Sequence, residues 1–420
     1  MSKALRAEIL AVGTELLLGN IANTDARDVS VMMSELGINV FYHTVVGDNP
    51  ERLTAAVNIA RSRADIIITT GGLGPTCDDL TKVVLAKAFG KELKFHEESA
   101  ERIRAFFRQR LPGREMTANN LQQAYLPEGC TVFVNDWGTA PGCAFESDGV
   151  TVIMLPGPPS ECVPMFRHRA MPYLAAKSDE TICSHNLRIF GMGESAVEDK
   201  LRDRMNALTN PTLAPYAKEG EVMLRVTAKA KSEAEAEEMM RPVVDEVCGI
   251  LGDIVYGVDV ESLEERVFDL LKEKNLTFAA AESCTGGLIA KRITDLAGAS
   301  EVFRGGVTVY TNDAKMHLLG VPAEMLDTHG AVSEPVARAL AERVRKALGA
   351  DFGLGVTGLA GPEGDGVNPV GTIFVALAAE GETFVRALKL GNGLRARLRT
   401  AAANNALDML RRYLEKKPVV

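Results

Sequence analysis

"AAAESCTGGLIAKRITDL", residues 279–296, changes its period in the middle. Up to Glu282 the apolar run that starts at Leu276 is short and continuous, the pattern of a buried strand. Beyond it, Leu288, Ile289, Ile293 and Leu296 recur at helical spacing, so a helix is expected to open at Thr285 or Gly286. A strand that runs through a glycine turn into a helix is half of a βαβ unit and implies an α/β fold. The alternation continues to the end: strand 304–311, short helix 313–319, helix 335–348, strands 352–357, 371–378 and 383–390, and a last helix 394–415. Ser262 is placed to cap a helix carrying Leu263, Val267 and Leu270, which opens this domain at residue 259.

The first 176 residues alternate in the same way. "RAEILAVG", "INVFYHTVV" and "ADIIITT" are strand-like, helices are expected near 79–89, 97–110 and 159–176, and short strands at 131–135, 143–147 and 150–155. This pattern predicts a doubly wound parallel sheet. Residues 177–258 read instead as strand, helix, two strands, helix, strand, a small α+β module. Three domains also suit 420 residues at ~150 per domain.

A net charge of −9 argues against a general nucleic-acid binder, which needs a basic footprint. No apolar run has the length of a membrane span, and the first residues read as a strand rather than a targeting segment. Seven scattered cysteines without a C-x-x-C pair place the chain in a reducing cytoplasm, and six histidines form no H-E-x-x-H.

In an open parallel sheet, ligands sit outside the carboxyl ends of the strands. Three polar clusters fall at such ends in the last domain: "ESCTGG" (282–287), "YTNDAK" (310–315) and "TGLAGPEG" (357–364). A hydroxyl at a helix N-terminus has amides and the helix dipole at hand to steady an oxyanion. No histidine lies in any cluster, so Lys315 is the available base, in the manner of Ser–Lys pairs. Its place in the first turn of a helix, with burial, favours its neutral form. Tyr310 and Thr357 are candidates to relay protons or orient a substrate, and Thr285, Gly286, Gly287, Gly358 and Gly361 to let backbone approach it. Ser283 and Cys284 are neighbours on an extended segment, so only one can face the cleft; position alone leaves the choice open.

In the first domain "TTGGLGPTCDDLT" (69–81) follows a buried strand. Gly71, Gly72 and Gly74 suit an anion at a helix N-terminus, without a P-loop's G-K-[ST]. Asp78 and Asp79 would repel a phosphate unless a divalent cation, Mg²⁺ or similar, came between; equally, both aspartates favour a helix N-terminus for its own sake.

"AAAESCTGG", "GGVTVYTNDAKMHLLGV", "GAVSE", "GVTGLAGPEG" and "NPVGT" resemble the carboxyl-terminal domain of the CinA family of competence/damage-inducible proteins. That resemblance implies a cofactor-independent amidase that hydrolyses nicotinamide mononucleotide to nicotinate mononucleotide and ammonia. It implies Ser283 as nucleophile and Lys315 as its partner, with Tyr310 and Thr357 in support. The chain departs from the family pattern near its last helix, where "GNGLRAR" has Gly393 at the position of an arginine; Arg397 matches a second family arginine and Arg395 is placed to compensate. Asn368 replaces the lysine usual before "PVGT".

"VGTELLLGNIANT", "TTGGLGPTCDDLT", "MTANNLQQAYLPEG", "GTAPG" and "LPGPPSE" resemble the amino-terminal domain of the same family, which shares the molybdopterin-binding fold of MoaB and MogA. It implies a metal-dependent ADP-ribose pyrophosphatase, with Glu15, Asn23, Thr24, Asp78, Asp79 and Glu161 as site residues. Residues 177–258 resemble the family's KH-like module, here acidic, an expected spacer and association element; a homodimer is the expected state of the chain. A non-catalytic partner in competence or DNA damage, and a molybdopterin binder, are the competing readings.

Overall fold

The computed structural model describes residues 5–110, 116–177, 181–218 and 220–420. The chain divides into two compact units, Met1–Cys183 with Lys229–Glu237, and Ser184–Ala228 with Glu238–Val420.

In the first unit a six-stranded sheet is built from β1 (Arg6–Val12), β2 (Asn39–Val46), β3 (Ile66–Thr70), β4 (Thr131–Phe133), β5 (Gly142–Ser147) and β6 (Val150–Leu155), in the order β2-β1-β3-β6-β5-β4. The first four strands in that order are parallel; β5 pairs antiparallel with β6, and β4 antiparallel with β5. The all-parallel expectation is thereby corrected. Asp148 and Gly149, both at positive φ, join β5 to β6, and a two-residue link only closes a hairpin. Apolar side chains are buried on both faces of the sheet: Leu10, Ile67 and Met154 on one, Ile9, Ile68 and Ile153 on the other. The helices α1 (Thr24–Glu35) and α2 (Pro50–Arg63) begin at Asn23 and Asn49, whose side chains accept the amides of Ala26 and Arg52.

In the middle segment β7 (Thr181–Ile189), α3 (Glu194–Ala207), β8 (Thr212–Lys218), β9 (Glu221–Ala230), α4 (Glu233–Leu251) and β10 (Val255–Val258) follow the expected order, with sheet order β8-β9-β7-β10.

The last domain opens with α5 (Leu263–Lys274), capped by Ser262 as expected. Its sheet has the order β12-β11-β13-β14-β15, from β11 (Phe278–Glu282), β12 (Phe303–Thr308), β13 (Phe352–Gly358), β14 (Thr372–Ala378) and β15 (Thr383–Lys389). β11, β12 and β13 are parallel, with β11 between the other two; β14 and β15 form an antiparallel edge. The helices α6 (Leu288–Thr294), α7 (Asn312–Leu319), α8 (Glu334–Ala347) and α9 (Arg395–Leu414) complete it. Because β11 is central, the ends of β12 and β13 flank the end of β11, and the three polar clusters meet. Gly353 and Gly355 let α8 lie close on β13: a Cβ at either would come within 2.5 Å of an α8 carbonyl oxygen.

No helix among the described residues is long and apolar enough to cross a membrane, and all seven cysteines are free.

Candidate active sites

Ser283 continues the β11 ladder by one residue: its amide donates to Val356 O at 3.0 Å, while Val309 N donates to Glu282 O at 2.8 Å. The chain then turns through Gly286 (φ 59) and Gly287 (φ 90), a left-handed pair that a side chain would strain. The helix therefore starts at Leu288, later than expected, because two glycines in the left-handed region cannot form its first turn.

Lys315 approaches from the neighbouring strand end. Thr311 Oγ1 accepts the Ala314 amide and starts α7, which puts Lys315 in its first turn. The side chain is 1% exposed; its nitrogen lies 3.4 Å from Ser283 Oγ and 3.0 Å from Val309 O. Burial pushes the Lys315 ammonium below the usual lysine range. Cys284 is buried on the other side of the chain, in the cluster that holds Ile289 and Leu398, and burial pushes its thiol up to about 11. The Cys284 thiolate is thus scarce at neutral pH, whereas the Ser283 hydroxyl has a base beside it.

The N-terminus of α6 is not free to steady an oxyanion, which corrects the sequence expectation. Glu282, itself 1% exposed, occupies it: its carboxylate accepts the amides of Ile289 at 3.0 Å and Ala290 at 2.9 Å. Among the described residues, the amides of Cys284, Thr285 and Gly287 in the turn have no main-chain acceptor, so the turn supplies the available donors.

The remaining candidates are divided. Thr357 is buried and its hydroxyl donates to Ala331 O at 2.7 Å, tying down the segment before α8. Gly358 is packed against β14, where a Cβ would sit 2.6 Å from Ile373. Tyr310 is exposed and its hydroxyl accepts from Arg395, which also donates to Gly361 O, each at 2.7 Å. Arg395 thus links two of the three clusters. Arg397, two residues on, leaves the opposite helix face and is exposed. Arg399, four residues from Arg395 and on its face, was missed: it donates to Cys284 O at 3.1 Å and Thr285 O at 2.6 Å. Helical spacing from Arg395 was the signal that could have found it.

In the first unit Glu15, Asn23, Thr24, Gly71, Gly72, Gly74, Asp78, Asp79 and Glu161 all line one cavity of about 600 Å³. Gly71 and Gly72 have positive φ, and a Cβ at Gly71 would meet Val12 O at 2.2 Å. The amides of Gly72, Leu73 and Gly74 lack main-chain acceptors among the described residues, an arrangement that favours an anion. Asp79 is partly committed, accepting from the amide of Thr76 at 2.8 Å, and Asn23 caps α1. Glu161 accepts from Asn135 at 2.7 Å, while burial raises its carboxyl above the usual range. Asp25 and Asp48, not foreseen, also line the cavity, and burial together with Asp28 pushes Asp25 up to about 6. Among the described residues, six carboxylates and no lysine, arginine or histidine line this space. Among the described residues no three His, Cys, Asp or Glu form a ready metal cluster. The donor set fits a divalent ion held by one or two carboxylates and completed by the ligand's own phosphate oxygens.

Three family models match the chain in succession: "Probable molybdopterin binding domain" over residues 8–176, "Damage-inducible protein CinA KH domain" over 184–257 and "CinA C-terminal domain" over 260–414. A CinA-like protein of Dictyoglomus turgidum is 51% identical over 411 residues, 98% of this chain and 99% of that one. A CinA-like protein of Desulfovibrio desulfuricans is 49% identical, covering 99% of this chain and 97% of its own. A crystal structure of the protein CinA with unknown function from Thermoplasma acidophilum, 32% identical, covers 41% of this chain and 98% of its own at a TM-score of 0.38. With relatives half identical over nearly its whole length, this chain belongs to the CinA family.

Proposed function

We propose that the last domain is a nicotinamide-nucleotide amidohydrolase, and the Ser283–Lys315 pair carries the proposal. Neutral Lys315 takes the Ser283 proton; Oγ attacks the carboxamide carbon of nicotinamide mononucleotide, and the turn amides hold the oxyanion. The C–N bond then breaks, and the departing nitrogen takes the proton from Lys315 and leaves as ammonia. Water, deprotonated by Lys315, hydrolyses the Ser283 ester to nicotinate mononucleotide. Val309 O at 3.0 Å and Tyr310 O at 3.5 Å accept the two N–H groups of the neutral amine, which leaves its lone pair for the serine. No cofactor is required. The test is ammonia release from nicotinamide mononucleotide by the purified chain without added metal. Failure with the wild type, or retention in Ser283→Ala, overturns the reading.

A second activity has its own supporting observation, the acid-lined cavity of the first unit. A diphosphate enters a space of six carboxylates only with a cation, and the free amides at Gly72–Gly74 offer the phosphate its hydrogen bonds. The reading is metal-dependent hydrolysis of ADP-ribose to AMP and ribose 5-phosphate. Formation of AMP that persists in EDTA would refute it.

A further inference from the structure

A second cavity of the last domain, about 500 Å³, lies at the sheet end opposite Ser283. Phe352 begins β13, Phe384 stands at the start of β15, and Tyr413 comes from the last turn of α9. The three rings pack edge-on and tilted, Phe352 to Tyr413 at 5.4 Å and Phe384 to Tyr413 at 5.9 Å between centroids. Lys274, Lys416 and Lys417 stand around them; among the described residues no acidic side chain lines the space, and Glu382, next to the rings, is engaged by the Tyr413 hydroxyl at 2.9 Å. Lys417 pairs with Glu415 and Asp253, whereas Lys274 and Lys416 are exposed and have no acceptor among the described residues. The outer wall is fixed too: Val419 O accepts from Arg386 at 2.7 Å and Pro418 O from Arg412 at 3.2 Å.

We propose that this cavity is a second ligand site, which takes a planar aromatic anion no larger than a nucleoside monophosphate. The rings offer apolar faces and edges to a flat heterocycle, and the two unpaired ammonium groups meet its phosphate or carboxylate. The five residues of β11 alone span about 17 Å, so the ligand does not reach Ser283. The helix α9 runs between the two places, with Arg395 and Arg399 at one end and Tyr413 at the other.

The full chain is titrated calorimetrically with AMP and, separately, with nicotinate, so that a phosphate and a carboxylate are distinguished. At least one is expected to show a binding event that survives in Ser283→Ala and in Asp78→Ala/Asp79→Ala. The same event weakens at least tenfold in Lys274→Glu/Lys416→Glu, whose exposed positions leave thermal unfolding unchanged. The proposal falls if neither ligand binds. It falls equally if binding persists in the charge-reversed variant or vanishes in the variants of the other two sites. A change in sedimentation of the ligand-free variant would show that a second copy of the chain covers the cavity, and would also overturn it.

Discussion

Lys315 Nζ and Ser283 Oγ stand 3.4 Å apart, and both side chains are buried. Among the described residues the lysine is held by main-chain carbonyls and by no carboxylate. That asymmetry sets its chemistry, because burial costs the charged form more than its neighbours return to it.

Lys315→Ala is expected to lower kcat for amide hydrolysis by about 10³-fold or more, as loss of a general base next to its nucleophile does. Lys315→Arg does not restore it, since a guanidinium has no lone pair to accept the proton. Steady-state ammonia release reads both.

The pH dependence follows from the depressed ammonium. Catalysis needs neutral Lys315, so kcat rises with pH and levels off once the folded-state value, below the usual lysine range, is passed. Stability moves the same way. Between the folded value and the ordinary 10.5 the unfolded chain binds more protons, so stability increases with pH across that window. Lys315→Met is expected to raise Tm at neutral pH while abolishing activity; an unchanged or lower Tm counts against the argument.

Cys284→Ala should keep most of the activity and lose about 1 kcal/mol of stability, the cost of a small buried cavity. Ser283→Ala should abolish turnover at unchanged Tm. The opposite pattern of activities would transfer the nucleophile to the thiol.

Glu282→Gln keeps the shape of the side chain but presents an amide N–H to a helix end that offers only donors. A loss of about 1 kcal/mol is expected, similar to removal of a helix cap. A fall in kcat at nearly constant KM is expected with it, because the turn amides shift while the rim at Tyr310 and Arg395 stays. A rise in KM alone would place Glu282 outside the turn's function.

Gly393 has open space around it: a Cβ there would come no nearer than 3.5 Å to Leu398. Gly393→Arg is therefore expected to fold normally and to lower KM for the phosphate-bearing substrate, with little change for nicotinamide itself. Arg395→Ala should raise KM, since it frees Tyr310 and the Gly361 carbonyl together.

The three strand ends that build the candidate site of the last domain were legible because burial of a whole strand leaves a continuous apolar run, and polar residues after it have nowhere to go but the ligand face. The antiparallel edge of the first sheet was equally present in the sequence. "SDGV" between two short strands is a hairpin signal, but alternation over long range overrode it. The placement of Glu282 was not readable. A carboxylate ending a buried strand looks the same whether it faces a ligand or folds back onto amides seven and eight residues on. Arg399 was hidden behind a motif match that favoured Arg397, although helix geometry favours the i, i+4 partner.

Arg411, fully buried near the end of α9, donates to Asp253 O, and Phe190 and Tyr256 share one apolar core with Leu263 and Leu407. A protease nick or a cloning boundary at residue 259 would expose that core and remove the Asp253 carbonyl from Arg411, which would keep only Asp408 and Glu415 as acceptors. A folded fragment that carries the last domain should therefore begin before Ser184, with the middle module as its floor.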